Sequence, residues 1–358
     1  MKSAMPNRSA EKTLERLHFL DALRGVAALA VFFAHACGLL FPGFNEVAFS
    51  RFDLGNFGVM LFFLCSGFII PVSLERQGSL RVFWLRRLFR LFPLYWLTIA
   101  ILVIKGYATG WRGFPASFFA YPLGYLMANM TMLQILFGYP HMVGLAWTLM
   151  FELIFYIIVS AQFALGLISH TVPITIGIMI GAMLVEGIVP LTGGMQLPNG
   201  ILSFFGTMCM GTVLYRYSNG ELSRSKLIQM IGLALVMEML TLLGDIRLDE
   251  PIWVQWMTAR LAAYLVFIVV YTHRRRVTNR ALCYLGLISY SIYLMHPFVF
   301  GFFSASLYSW LILCFWLAIL LLIASATYRW IERPSIRLGQ RLTRPKAPVA
   351  AHNPATSD

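Results

Sequence analysis

The 358-residue sequence has few charged residues. Asp, Glu, Lys and Arg together make up 12% of it, whereas 59% is hydrophobic. Soluble domains carry about 25% charged residues, so this composition excludes a soluble globular protein. The apolar runs also lack the alternation of polar and apolar residues that the strands of a membrane barrel require. The composition therefore predicts an all-α, polytopic membrane protein.

The sequence also lacks the cysteine spacings that indicate a disulfide framework or a metal site. Its five cysteines lie singly within apolar runs, which is typical of packing residues, and no metal is expected. The first 19 residues are polar and contain no small-residue cleavage site, and the following apolar run is long enough to remain as an anchor. No internal repeat and no attached soluble domain is visible. Any chemistry is therefore expected within the helical bundle or at its faces.

Ten apolar runs are long enough to cross a membrane, and an eleventh candidate lies at 119–137. If 119–137 does not span, 23 of the 28 Lys and Arg residues lie on the same side as both termini. The positive-inside rule therefore predicts about ten helices with both termini cytoplasmic, and an interfacial or re-entrant segment at 119–137. Because topology explains the basic charge, a nucleic-acid partner is not expected. The ten runs are 20–41, 56–74, 91–105, 145–167, 171–190, 200–217, 226–244, 252–272, 281–304 and 306–328.

This topology divides the chain into three parts. A cytoplasmic N-terminal segment (1–19) precedes a transmembrane domain (20–340), and a Pro-rich polar tail (341–358) is expected to be disordered in the cytoplasm. Within the fifth run, Gly177 and Gly181 have the small-xxx-small spacing of closely packed membrane helices. Close helix packing is therefore expected there.

Arg24 and His35 are the most informative pair in the sequence. They lie eleven residues apart in the first apolar run, so both side chains face the same way on a helix, roughly 16 Å apart at ~1.5 Å per residue. Ionisable side chains are costly inside a membrane and indicate function. The predicted topology places Glu152 and His296 at the depth of His35, in the outer half. A histidine there is either functional or hydrogen-bonded to a neighbouring helix.

Structural alternatives remain open for the other polar residues. Glu152 is either functional or the ion-pair partner of a helix cation such as Arg260, which needs a buried partner. His296 is either functional or a hydrogen-bonding residue at a helix end that a proline breaks. Glu186 and Glu238 lie near outer helix ends, where solvation at the interface is expected.

A basic cluster within 81–93 contains Arg86, Arg87 and Arg90. Arg86 and Arg90 are four residues apart and share a helical face. The cluster is either a stop-transfer signal that contacts anionic membrane lipids or a phosphate clamp on the cytosolic side. Arginine suits the second role because its planar fork binds phosphate oxygens bidentately.

Over most of residues 17–340 the sequence resembles the acyltransferase type 3 family, which includes bacterial O-antigen and exopolysaccharide O-acetyltransferases. Six motifs in order carry the likeness, and together they are specific. They are L-H-F-L-D-A-L-R-G-V-A-A-L-A-V-F-F-A-H (17–35), G-V-M-L-F-F-L-C-S-G-F-I-I (58–70), R-R-L-F-R-L-F-P-L-Y (86–95), A-W-T-L-M-F-E-L-I-F-Y (146–156), S-Y-S-I-Y-L-M-H-P (289–297) and Y-R-W-I-E-R-P (328–334).

The resemblance implies transfer of an acyl group, usually acetyl from acetyl-CoA, across a bacterial inner membrane to a hydroxyl of a glycan or lipid-linked acceptor. His35 is then a general base or a transient acyl carrier, and Glu152 orients it or stabilises its imidazolium. Trp147 and Tyr156 line the acceptor pocket, and Ser66 and His296 are candidate oxyanion donors. The residues implied to hold the CoA phosphates are Arg24, Arg86, Arg87 and Arg90.

The sequence departs from the family in one respect. Many relatives that act on O-antigen carry an extra soluble C-terminal domain. No such domain is expected here, which leaves small glycosides, lipid-linked sugars, peptides and macrolides open as acceptors. A transporter or flippase of a lipid-linked or hydrophobic solute is the alternative from another class. Such transporters often show paired repeats with broken helices at the midplane, and none is visible here.

Overall fold

A computed structural model describes residues 8–111, 114–192, 200–246, 252–277, 279–300 and 308–344. The described residues form helices and connecting loops without any strand, which confirms the all-α prediction. Most of the predicted tail, 345–358, lies outside the described residues. The α-helices are α1 (Arg8–Leu40), α2 (Pro42–Arg51), α3 (Leu54–Gln77), α4 (Leu80–Thr109), α5 (Ala116–Ala120), α6 (Pro122–Met130), α7 (Ala146–Ala164), α8 (Thr171–Ala182), α9 (Val189–Leu191), α10 (Ile201–Ser218), α11 (Arg224–Ile246), α12 (Ile252–Thr272), α13 (Arg280–Leu287), α14 (Ser289–Met295), α15 (Ser309–Thr327) and α16 (Arg333–Leu342). Shorter 3₁₀ segments occur at Gln134–Phe137, Leu167–His170 and His296–Phe298, and π-helical segments at Met183–Ile188 and Tyr328–Glu332.

Eight helical segments of the described chain are long and apolar enough to cross a membrane. The pair Arg280–Leu287 and Ser289–Phe298, bent by 56°, forms a ninth if it is one span. These nine correspond to nine of the ten predicted runs. The remaining predicted run, 200–217, forms α10, which is largely buried but is not among the eight candidate spans. Several membrane-spanning helices are therefore present, and the count of ten stays a prediction.

The ambiguous segment at 119–137 is broken into short helices. Helices α5 and α6 have five and nine residues, and the 3₁₀ segment that follows has four. A spanning helix needs about 20 residues, so none of these crosses a membrane. This agrees with the prediction that the segment does not form a spanning helix.

Helix α3 lies in the centre of the bundle and packs against α1, α10 and α12. At the crossing with α10, a Cβ atom at Gly67 would overlap the carbonyl oxygen of Met208, and one at Gly211 would overlap the backbone of α3. Only glycine lets the two backbones approach so closely. By contrast, a Cβ atom at Gly177 or Gly181 would meet no atom of the described residues within 4 Å. The close packing predicted at that pair is therefore wrong.

Both ends of α3 are fixed by capping interactions. Asp53 Oδ1 accepts a hydrogen bond from the backbone N–H of Asn56 at 2.9 Å, which is an N-cap. The backbone N–H of Asp53 also donates to the carbonyl of Gln255 on α12, at 3.4 Å. At the other end Gly78, with φ +60°, donates its N–H to the carbonyl of Leu74 and ends the helix. The N-terminus of α3 is thereby held beside α12.

Two carboxylates that were expected to be solvated at the interface are buried instead. Glu238 accepts a hydrogen bond from Arg260 Nη1 at 2.7 Å, and both side chains are 1% exposed. Glu186 accepts the backbone N–H groups of Leu202 and Ser203 in the first turn of α10, where unpaired N–H groups and the helix dipole favour an anion. The prediction was wrong because position along a helix does not determine which face points inward.

Candidate active site

A cavity of about 1150 Å³ opens at one end of the bundle. The end of α1, the starts of α3 and α7, and the 3₁₀ segment after α14 contribute its walls. The wall is mainly apolar, with a small number of polar groups. Small-molecule sites commonly combine an apolar wall with a few converging polar groups. The titratable side chains among the described lining residues are His35, Asp53, Lys105, His141, Tyr293 and His296.

The two histidines of the cavity are in contact. The rings of His35 and His296 stack with their centroids 5.3 Å apart and an interplanar angle of 17°. His296 is 1% exposed, and its Nδ1 atom finds no hydrogen-bond partner in the described part of the chain. His35 is exposed to the cavity. Helices α1 and α14 therefore bring together two residues that the sequence placed at one depth, and His35 is the accessible member.

Trp147 also lines the cavity, and its role in an acceptor pocket stays a prediction. Tyr293 was missed by sequence reasoning. Its ring packs edge-on against His296, with centroids 6.0 Å apart, and its hydroxyl is 2.7 Å from Thr148 Oγ1. The available signal was spacing, because Tyr293 and His296 are three residues apart and so share a helical face.

Asp53 was missed as well. It lies between α2 and α3 and faces the cavity. An Asp immediately before an apolar helical run is a recognisable N-cap signal. That signal identifies the cap but gives no indication that the cap would lie beside the histidines.

Glu152 lies in a different environment from the one predicted. Its Oε1 accepts hydrogen bonds from Ser66 Oγ at 3.0 Å and from the hydroxyl of Tyr156 at 2.6 Å. None of these three residues lines the cavity, and within the described residues no hydrogen bond or ion pair joins Glu152 to His35 or Arg260. The arrangement thus differs from the predictions that Glu152 orients His35, that Tyr156 lines the acceptor pocket and that Ser66 is an oxyanion donor. Equal depth does not place residues of different helices side by side.

Three of the four predicted phosphate-binding arginines converge near Glu152. Arg24, Arg87 and Arg90 interact electrostatically with one another, and Arg24 and Arg87 also interact with Glu152. Arg87 lies over the ring of Tyr156 at 5.3 Å. All three are half-buried, and none has an ion-pair partner within 4 Å among the described residues. Their N–H donors are therefore available to an anion.

Carboxylates at longer range balance these cations. Asp21 interacts electrostatically with Arg24 and Arg90, and so does Glu332, which is buried and accepts a hydrogen bond from Ser291 at 3.0 Å. Together with Glu152 they provide three carboxylates for three guanidinium groups. Such compensation lowers the cost of placing the arginines inside the bundle.

Arg86, the fourth predicted phosphate-binding arginine, has different contacts from Arg24, Arg87 and Arg90. Its Nε donates to Thr343 Oγ1 at 2.8 Å, which joins α4 to the turn after α16. Ser335 on α16 donates to the carbonyl of Phe89 at 2.7 Å and reinforces the junction. The pairing of Arg86 and Arg90 in a phosphate clamp stays a prediction. Arg87 interacts electrostatically with Arg90.

His141, in the loop before α7, contacts the side chain of Gln134 and lines the cavity. Burial lowers its pKa below the ordinary value for histidine. His141 is therefore neutral at pH 7, and Lys105 is the only Lys or Arg among the described lining residues.

An accessible histidine is stacked on a buried one, and farther along the same bundle lie arginines that form no ion pair with any described residue. This arrangement is suited to proton transfer and anion binding. In a protein with several membrane-spanning helices, these features define a membrane-embedded enzyme.

Comparison with known proteins identifies the class more closely. The family model described as an acyltransferase domain matches residues 17–329. The chain therefore belongs to this acyltransferase family, which also confirms the resemblance seen in its motifs.

Individual relatives match over shorter stretches. Acyltransferase MdmB of Streptomyces mycarofaciens is 37% identical over 89 residues, which are 24% of this chain and 23% of that protein. Nodulation protein 10 of Rhizobium leguminosarum bv. viciae is 31% identical over 152 residues, 38% of this chain and 41% of that protein. Putative acetyltransferase ORF330 of Acidianus two-tailed virus is 23% identical over 285 residues, 76% of this chain and 80% of that protein. The chain thus spans less than half the length of the first two relatives, and no solved structure matches it.

Proposed function

We propose that the protein transfers an acyl group, in the simplest case acetyl, from acyl-CoA to a hydroxyl of an extracytoplasmic glycan or lipid-linked acceptor in a bacterial inner membrane. One observation carries the proposal. Helix α1 bears at Arg24 a guanidinium that forms no ion pair in the described part of the chain and, eleven residues later, an accessible imidazole at His35. The family supports acyl transfer, and the description of the viral relative as an acetyltransferase supports acetyl as the group.

Arg24, Arg87 and Arg90 hold the phosphates of the donor at the cytosolic side. Arginine forks suit phosphate oxygens, and these three have donors to spare. The offset between Arg24 and His35, roughly 16 Å at ~1.5 Å per residue, is comparable with an extended pantetheine arm. Binding of the phosphates therefore brings the thioester carbonyl to the imidazole.

His35 takes the proton of the acceptor hydroxyl, and the oxygen attacks the thioester carbonyl carbon. The C–S bond breaks, the new C–O ester bond remains, and the imidazolium returns the proton to the leaving thiolate of CoA. In the alternative course His35 first accepts the acyl group itself and then passes it to the hydroxyl. In both courses His296, stacked on His35, limits rotation of the imidazole.

His35→Gln tests the proposal because it removes the base and keeps a polar side chain of similar size. Purified protein in detergent is given radiolabelled acetyl-CoA and an envelope extract of lipids and glycans, and incorporation of label is measured. We expect a loss of roughly 10²- to 10⁴-fold in the transfer rate, as for removal of a general base, with unchanged CoA binding. Wild-type incorporation by this variant would refute the proposal.

Arg90→Ala is the companion variant for the donor site. It should raise the KM for acetyl-CoA about tenfold or more, because a charge-assisted contact to phosphate is lost. Arg81→Ala is the matched control, since Arg81 lies exposed on the same helix. Equal KM values in the two variants would contradict phosphate binding and indicate that the cluster has a structural or lipid-facing role.

A further inference from the structure

The cavity that contains His35 has one carboxylate on its described wall, that of Asp53. The other titratable side chains there are His35, Lys105, His141, Tyr293 and His296. A base that receives a proton in a largely apolar cavity becomes a cation, and that cation is unstable there without a nearby negative charge. Glu152, the carboxylate that the sequence suggested for this purpose, is occupied with Ser66 and Tyr156 outside the wall.

Asp53 is held close to the helix that carries His35. A Cβ atom at Gly55 would lie 3.2 Å from Asp53 Oδ1 and 3.5 Å from the Cβ of Ala34, the residue before His35. Asp53 and His35 interact electrostatically, although no ion pair within 4 Å joins them in the described chain. Both side chains line the same cavity.

The position of Asp53 is rigid. Its Oδ1 caps α3 through Asn56, and its backbone N–H bonds to Gln255 on α12. The positive end of the α3 dipole stabilises the negative charge of the carboxylate. A fixed charge needs no reorganisation when the histidine becomes protonated, and this is what makes preorganised electrostatics effective in catalysis.

We infer that Asp53 is a positioning residue of the acyl-transfer site, whose carboxylate stabilises the imidazolium that His35 forms when it takes the proton of the acceptor. The inference rests on the proposed function and gives Asp53 the role that the sequence assigned to Glu152. It predicts that the charge at position 53 matters for turnover independently of the capping of α3.

Substitutions at this position separate charge from capping. Asn and Ser are helix caps comparable with Asp but carry no charge, whereas Glu keeps the charge and is a poorer cap. Asp53→Asn and Asp53→Ser should each lower the maximal rate of label incorporation from radiolabelled acetyl-CoA by roughly 10- to 100-fold, the effect of losing one partly screened charge. The KM for acetyl-CoA and the thermal unfolding midpoint should stay unchanged. Asp53→Glu should retain most of the rate despite the weaker cap.

Glu46→Gln is the matched control, because Glu46 is exposed, lies on α2 and does not line the cavity. It should behave as wild type. Wild-type rates in the Asn and Ser variants, or a Glu variant as slow as these two, would overturn the role of Asp53. Activity of His35→Gln would instead refute the proposed function itself, so the two failures are distinguishable.

Discussion

At the scale of single residues, Arg260 and Glu238 form the most completely buried ion pair of the described structure. Arg260 Nη1 lies 2.7 Å from Glu238 Oε2, and its guanidinium stacks over the rings of Phe204 and Trp256. Arg260 Nε and Nη2 find no partner among the described residues. The two charges therefore compensate each other, but hydrogen bonds offset only part of the desolvation cost of the guanidinium.

Glu238→Gln should destabilise the protein by about 3–5 kcal/mol, because it leaves an uncompensated guanidinium inside the bundle. The thermal unfolding midpoint in detergent measures the effect. Glu221→Gln is the control, since Glu221 pairs with Arg216 at the surface, where its side chain is 46% exposed. A double variant, Arg260→Met with Glu238→Leu, should recover most of the loss. A midpoint of Glu238→Gln equal to that of the control would contradict this prediction.

Among the site residues, those on one helix were predictable and those that meet between helices were not. Arg24 and His35 follow from helical periodicity and from the cost of polar groups in a membrane. Glu152 was assigned to His35 from depth and from the family resemblance, and neither determines the direction of a side chain around the helix axis. Asp53 reaches the cavity because its loop lies between α2 and α3, and no local pattern indicates that contact.

At the scale of helices, the crossing of α3 and α10 depends on two glycines, Gly67 and Gly211. The sequence spacing drew attention to Gly177 and Gly181 instead, and these lie in open surroundings. Glycine spacing indicates that a helix offers a smooth face. Whether another helix occupies that face depends on packing that is not local in sequence.

Gly67→Ala should therefore destabilise the protein by about 1–3 kcal/mol or abolish its accumulation, because the added methyl group forces α3 and α10 apart. Gly177→Ala, the same change on α8, should be neutral or slightly stabilising, since alanine favours helix formation over glycine. Yield after membrane extraction and the thermal unfolding midpoint report both effects. Similar midpoints for the two variants would show that the crossing can relax.

At the scale of the whole molecule, the all-helical membrane architecture followed from composition, run length and charge asymmetry. These features are averages over many residues, so a wrong interpretation of a single residue changes the predicted architecture little. The number of crossing helices is harder to predict, because α10 is buried by α3, α8 and α11 and is therefore less dependent on continuous hydrophobicity. The bend of 56° between α13 and α14 likewise has no clear signal before the proline after His296.

The charge asymmetry makes a prediction about orientation. Ser223 lies between α10 and α11 in a loop flanked by Arg216, Arg224 and Lys226, whereas Pro140 lies in the loop before α7. The positive-inside rule places Ser223 in the cytosol and Pro140 on the opposite side. In a cysteine-free background, an impermeant maleimide should label Ser223→Cys only in inverted vesicles and Pro140→Cys only in right-side-out vesicles. Labelling of both positions from one side would invalidate the topology.

The continuity of α1 has a consequence for the choice of donor. Because the helix runs unbroken from Arg8 to Leu40, the rise from Arg24 to His35 cannot adjust to the length of a substrate. Under the proposed mechanism, a small donor such as acetyl phosphate would leave its acetyl carbon beside the arginines, far from the imidazole. One residue inserted between the two positions would turn His35 by about 100° relative to Arg24. Selection against acyl donors with a short carrier arm is therefore built into the register of a single helix.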